Sequence, residues 1–169
     1  MKTTDTMTPE GKRLMAELRQ LAELEVRAGF QRGKIFYAQE AAEGDEPKQP
    51  VDLADVVAWN ELGTDHIPSR PFLRMTAEKN ESEIEEFAKK CLVLLTRGEA
   101  TAESVLKKIG AEMKGMIQET ITDGEFIPNA PSTIARKRKN GQDPVKPLQD
   151  TGHMRDSVNF VIVKKGTPE

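Results

Sequence analysis

A chain of 169 residues has room for one modest hydrophobic core and is short for two, so the length predicts a single domain over 1–169. Apolar residues make up 37% and charged residues 31%, a soluble and rather polar balance, and the net charge of -3 left by 28 acidic and 25 basic residues lacks the basic excess of a dedicated nucleic-acid binder. No apolar run reaches membrane-spanning length and Met1–Thr6 leads into a charged segment, which predicts no membrane contact, no signal peptide and a protein made in the cytoplasm.

Thr8, Pro9 and Glu10 announce the first helix: a hydroxyl acceptor, a residue with φ preset and a carboxylate at the positive helix end. Leu14, Leu18, Leu21 and Val26 fall near one face of it. The alternation Val26, Ala28, Phe30 then predicts a short strand closed by Gly33. Residues 38–50 are acidic, contain proline and have no apolar period, so they are expected to form a mobile surface loop.

Asp52 is placed to cap a second helix over Leu53–Leu62, and Gly63 to end it with a left-handed residue. Pro68 and Pro71 hold Ile67–Pro71 extended, with Pro71 serving as first residue of a long helix from Phe72 to about Leu95. The lone Cys91 lies among Phe87, Leu92 and Leu94 and reads as a small buried hydrophobe. After a break at Thr96–Gly98, Val105, Ile109, Met113, Met116, Ile117 and Ile121 mark another helix, from about Thr101 to Thr122.

Residues 123–149, rich in proline and glycine, show no long periodic segment and read as a second mobile loop. A helical turn within Thr151–Ser157 and a strand over Val158–Val163 complete the chain. With another strand near Ile35 or Ile67, the fold class is α+β: a small antiparallel sheet packed against long helices, with an extended loop before the C-terminal strand.

Two stretches are similar to the signatures of the tailed-phage neck and tail-component family. Val56-Val57-Ala58-Trp59-Asn60-Glu61-Leu62-Gly63-Thr64, followed by Ile67-Pro68-Ser69-Arg70-Pro71-Phe72-Leu73-Arg74, resembles its central element, in which a usual Phe is Leu62 here. Pro147-Leu148-Gln149-Asp150-Thr151-Gly152-His153-Met154-Arg155-Asp156-Ser157-Val158 resembles its C-terminal element, with Gln149 and Met154 replacing apolar residues. Thr133 ahead of Arg136-Lys137-Arg138 also suits such virion morphogenesis proteins. The resemblance implies helices on a small sheet, no enzymatic activity and no cofactor. It implies a ring, such as a hexamer, between the connector or portal and the tail tube or terminator, assembled in the host cytoplasm and carried in the virion neck.

The residues themselves offer little chemistry. His66 and His153 are distant from each other in sequence, Ser69 and Ser157 lack the glycine flanks of a nucleophile elbow, and one cysteine with two histidines makes no metal-ligand pattern. Asn60 and Glu61 are expected to brace the Gly63–Thr64 turn. Arg70 and Arg74 stand at a helix start, where the dipole disfavours cations, and so call for a carboxylate, either internal or on a neighbouring subunit. Arg136, Lys137, Arg138 and Lys139, with Lys146 beyond, lie outside every predicted core face. They are candidates for a contact with the next subunit, whose mate would be the acidic run Glu78, Glu81, Glu83, Glu85 and Glu86, or with packaged DNA. The alternative function is accordingly a DNA-contacting accessory protein acting through residues 136–146.

Overall fold

A computed structural model describes residues 7–36 and 50–167, apart from the side chains of Ile35 and Phe36. The fold is α+β. In chain order come α1 (Pro9–Glu23), β1 (Leu24–Gly29), β2 (Ile35–Phe36), β3 (Val51–Asp52), α2 (Leu53–Leu62), α3 (Phe72–Arg97), α4 (Ala102–Asp123), α5 (Pro131–Lys139), α6 (His153–Asp156) and β4 (Asn159–Lys164). The expected loop over 38–50 falls outside the described residues, Pro50 apart.

Local signals set most of these bounds. The Thr8 hydroxyl accepts from Gly11 N at 3.2 Å and opens α1. Strand β1 begins two residues before the alternation suggested, because Leu24 donates its N–H to Gln20 while already extended at φ -106° and ψ 155°. The helix therefore passes into the strand without a loop. At the end of α3, Gly98 (φ 83°) donates to Leu95 O and Glu99 to Leu94 O, the paired bonds of a Schellman stop. Thr101 and Ser104 then exchange side-chain and backbone bonds as a reciprocal cap on α4.

Strand β1 pairs with β4, and Lys165 N donates to Glu23 O beyond one end of the pair, which brings the start of one strand to the finish of the other. Strands β2 and β3 form a second, antiparallel pair with Ile35 opposite Asp52 and Phe36 opposite Val51. Of the two places expected to supply a further strand, Ile35 does so and Ile67 does not; Ile67 lies in the return between α2 and α3.

By internal contacts the described residues group into two compact units. The first comprises the chain through Ala28, Asn80–Met113 and the residues from Phe160 on. Its core is Cys91, Leu95, Ala100, Ala102 and Val105, against which Leu14, Leu21, Phe87, Leu94 and Ile109 pack. Cys91 is thus the buried hydrophobe its neighbours suggested, whereas Leu18 stays 40% exposed. The carboxylate of Glu17 accepts from Ala102 N at 2.6 Å, so α1 caps the start of α4. Gly110 lets the β1–β4 pair sit close to α4: a Cβ there would stand 2.3 Å from the Phe160 ring and 2.8 Å from Val26.

The second unit takes in the described residues of Gly29–Lys79 and Lys114–Asn159. Leu53, Val57, Phe72, Met116, Ile117, Ile121, Leu148, Met154 and Val158 are buried in it, and the rings of Phe30 and Phe72 meet edge to face at 6.0 Å. The stretch 123–149, expected to be an unstructured loop, contains α5. Pro131 opens that helix and nine residues complete it, too short a run to reveal a periodic apolar face.

Asp52 links β3 to α2. Its carboxylate accepts from Ala54 N at 2.9 Å and from Gly33 N at 2.8 Å, and these two bonds, Gly33 first, hold its pKa below the ordinary 3.8. A depressed carboxylate pKa means that the folded state binds this proton more weakly than the unfolded chain. Its stabilising contribution is therefore present above the usual carboxylate range and is lost as pH falls through the lowered value. We expect Asp52→Asn to flatten the acid limb of a melting-temperature profile between about pH 5 and pH 2; parallel profiles for variant and wild type would contradict this reading of the cap.

Candidate functional site

The two motif stretches, some 80 residues apart in sequence, line one cavity of about 300 Å³ in the second unit. Val56, Asn60, Ile67, Pro68 and Arg70 come from the first, with Leu53 just ahead of it and His66 between its two parts; Pro147, Leu148, Asp150, Thr151, Gly152, His153 and Met154 come from the second. Asn129, Ala130, Thr133, Arg136 and Lys137 fill the wall between them. Trp59, at 42% exposure, Glu61, Gly63, Thr64, Phe72, Arg74, Ser157, Arg138, Lys139 and Lys146 do not line it.

The first motif works as a helix-to-helix joint. Gly63 N donates to Trp59 O and Thr64 N to Ile67 O, while the Thr64 hydroxyl accepts from His66 N and Ile67 N. The open carbonyls in the last turn of α2 are taken by the returning chain: Arg70 N donates to Asn60 O at 2.6 Å and the Ser69 hydroxyl to Glu61 O at 2.8 Å. Gly63 has φ 82° and ψ 168°, which is the extended region mirrored to positive φ and open essentially to glycine alone, instead of the left-handed helical conformation expected.

Pro71 sits one position earlier than expected, as the residue whose carbonyl accepts from Met75 N, and it has no side-chain acceptor to offer the start of α3. Glu61 supplies one across the joint. Its two carboxylate oxygens accept from Leu73 N at 2.9 Å and Arg74 N at 3.0 Å. Asn60 and Glu61 therefore do more than brace the turn: they tie α2 to the start of α3. We expect Glu61→Ala to cost about 1 kcal/mol, as loss of a helix cap does, and Glu61→Gln to recover part of it; no change in a denaturation midpoint for Glu61→Ala would remove the cap.

Arg70 is 7% exposed, and its partners correct the expectation of an internal carboxylate. Nε donates to Ile127 O at 3.0 Å, Nη2 to Pro128 O at 3.3 Å and Nη1 to Asn60 Oδ1 at 3.4 Å, and no ion pair reaches it among the described residues. Neutral oxygens solvate this buried cation, and burial lowers its pKa. Arg74 remains exposed.

The basic cluster is divided by the fold. Lys137, placed by its sequence among solvated residues, is 1% exposed. Its ammonium donates to Lys146 O at 2.7 Å, to Asp143 O at 3.4 Å and to Gln149 O, so three N–H groups meet three carbonyls of one looping segment. Burial lowers its pKa, against the attraction of Asp150. Lys146 is also engaged: Nζ donates to Thr122 O at 3.0 Å and lies 3.5 Å from Asp123, a cation at the negative end of α4. Gln149 donates to the same Thr122 O at 2.9 Å. Arg136 lies 3.8 Å from Asp150 and is half exposed; Arg138 and Lys139 are exposed.

In the second motif Gly152 takes φ 77° just before α6, and Ser157, 6% exposed, donates its N–H to His153 O and Met154 O at the end of that turn. Asp150 is partly buried, with Oδ1 taking no hydrogen bond among the described residues. Asn129 was not singled out by sequence reasoning, Gln149 stood out only as a polar replacement in the second motif, and Thr122 only as a helix end. Pro131 carried a local signal for α5, that of a first helical residue, but none for which side of the helix turns inward. Among the described residues no group of three or more His, Cys, Asp or Glu could hold a metal ion, and no helix is long and apolar enough to cross a membrane. Comparison of the chain with protein-family models, curated proteins and solved structures yields no match.

Proposed function

We propose that the chain is a non-enzymatic structural component of a tailed-phage particle, working at the neck or the head-proximal end of the tail as one subunit of a ring. The observation that carries this reading is the convergence of the two family-like stretches on one cavity, through residues whose work is to hold backbone. Gly63 and Gly152 supply positive φ, Pro68 and Pro71 stiffen the return, and Arg70 bonds to carbonyls of the segment that follows α4. A motif spent on shape suits a part that must fit neighbours on either side. Its partners are then copies of itself, the connector or portal side, and the tail tube or terminator.

The DNA-contacting alternative retains fewer residues than the sequence offered it. Of the five cations, Lys137 and Lys146 are engaged internally and Arg136 faces Asp150, which leaves Arg138 and Lys139. Two exposed charges without an ion partner among the described residues release few counterions, so they give weak affinity with a shallow salt dependence.

The test is complementation of a phage deleted for this gene. We expect full heads and finished tails to accumulate unjoined, the supplied chain to restore joined infectious particles, and a tag on the chain to be seen at the neck by electron microscopy. Particles that join without the chain, or a tag absent from purified virions, would overturn the proposal.

A further inference from the structure

Three cationic residues, Arg70, Arg136 and Lys137, line the cavity and one carboxylate, Asp150, stands among them, so cations outnumber carboxylates in its wall. Neither Arg70 nor Lys137 has an ion-pair partner among the described residues. Lys137 is saturated by its three carbonyls and contributes only field, but Arg70 has five N–H groups and uses three, leaving two for an incoming acceptor. In a recess partly shielded from water such a field acts more strongly on an anion than it would on an open surface. We infer that this cavity receives the side-chain carboxylate of a second copy of the chain, supplied by the acidic row Glu78, Glu81 and Glu85 of its α3.

Two features select that occupant. Arg70 and Lys137 are 7% and 1% exposed, too recessed for the phosphates of a duplex, whereas a cavity of about 300 Å³ has room for a single Glu side chain. Spaced by three and four residues, Glu78, Glu81 and Glu85 share one helix face; all are exposed, and only Glu85 has an ion partner among the described residues, Lys89 at 3.2 Å. The chain therefore presents both a cationic recess and a carboxylate row. One copy's row in the next copy's recess is a head-to-tail contact, which closes into a ring when the rotation per subunit allows. The inference rests on the ring-forming reading above and names its contact.

Sedimentation of the full-length protein over a concentration series, with Arg136→Glu and Glu81→Lys beside the wild type, tests it. Glu81 is exposed and has no ion pair among the described residues, so Glu81→Lys should keep the wild-type melting temperature; Arg136→Glu sets a carboxylate beside Asp150, so Arg136→Gln, which adds no charge there, is measured with it and should also associate more weakly than the wild type. The wild type should associate with rising concentration, less so at about 0.5 M salt, where screening shortens to a few ångströms. Each variant should associate at least tenfold more weakly alone, and an equal mixture of the two should recover dimers, because an intact recess on one then meets an intact row on the other. The inference is overturned by a wild type that stays monomeric to about 1 mM, by variants that associate as the wild type does, by a mixture no better than its components, or by Arg136→Glu losing duplex-DNA binding with sedimentation unchanged. Failure here with the tag still at the neck would sink this contact and spare the virion reading; the charge-swap behaviour without neck labelling would do the reverse.

Discussion

Lys137→Ala should lower stability by about 3 kcal/mol, because it empties the place of a 1% exposed side chain and strips the donor from three part-buried carbonyls, and an acceptor left unpaired away from water costs about 1–3 kcal/mol. The acceptors belong to Asp143, Lys146 and Gln149, so one ammonium gathers the segment that leads into Asp150 and the second motif. For a chain of this size the loss corresponds to roughly 6–12 °C in melting temperature. Arg138→Ala and Lys139→Ala, at exposed neighbours on the same helix, should shift stability by less than about 0.5 kcal/mol. Equal melting temperatures for the three variants would mean that the carbonyl nest does not form. The pH dependence has a definite sign as well. Burial lowers the Lys137 pKa from its ordinary 10.5, so the unfolded chain binds that proton more tightly, and between the lowered value and 10.5 the stability of the wild type should rise with pH relative to Lys137→Met.

That result also determines how the basic cluster can be tested as an assembly element. Replacing Arg136, Lys137, Arg138 and Lys139 together, on the expectation that all four lie outside the core, would confound assembly with unfolding, since Lys137 is a buried residue. Arg136→Ala with Arg138→Ala and Lys139→Ala leaves the nest intact. Only that triple variant can separate particle completion from folding.

Gly63→Val should destabilise by about 2–4 kcal/mol, for two reasons that act together. At φ 82° and ψ 168° a β-branched side chain is strained, at a cost of about 1–3 kcal/mol. A Cβ there would also stand 2.9 Å from Ser69 N and 3.2 Å from Ile67 O, both backbone atoms that cannot swing aside. Moving Ser69 would pull on the Arg70 N to Asn60 O bond and on the Ser69 hydroxyl that caps α2. Asn, which tolerates left-handed helical backbone, should rescue little, because ψ 168° lies outside that region. A Gly63→Asn variant as stable as the wild type, by denaturant midpoint, would place Gly63 in an ordinary left-handed stop and withdraw this account.

Where the helices begin and end was legible because the cause lies within a few residues. Thr8 ahead of Pro9, Asp52 before Leu53 and Gly98 after Arg97 act on backbone groups two to five positions away, and those helix ends came out within two residues of expectation. The α+β class followed from the same local periods. Glu61, Glu17 and Arg70 differ in kind. Their partners stand 12, 85 and 57 residues away, and nothing near them in sequence says which open N–H or carbonyl each will meet.

Lys137 is the sharpest case. In Arg136-Lys137-Arg138-Lys139 four cations look alike, and removing an ammonium from water costs several kcal/mol unless acceptors replace it. Composition therefore predicts four solvated side chains. Only the tertiary structure decides otherwise, since the register of α5 turns one of the four inward and the returning segment brings three carbonyls to it. Sequence by itself determined which residues could cap, turn or carry charge; the fold decided which of those charges are spent inside the protein and which, at Arg136, Arg138 and Lys139, stay at the surface for a neighbour.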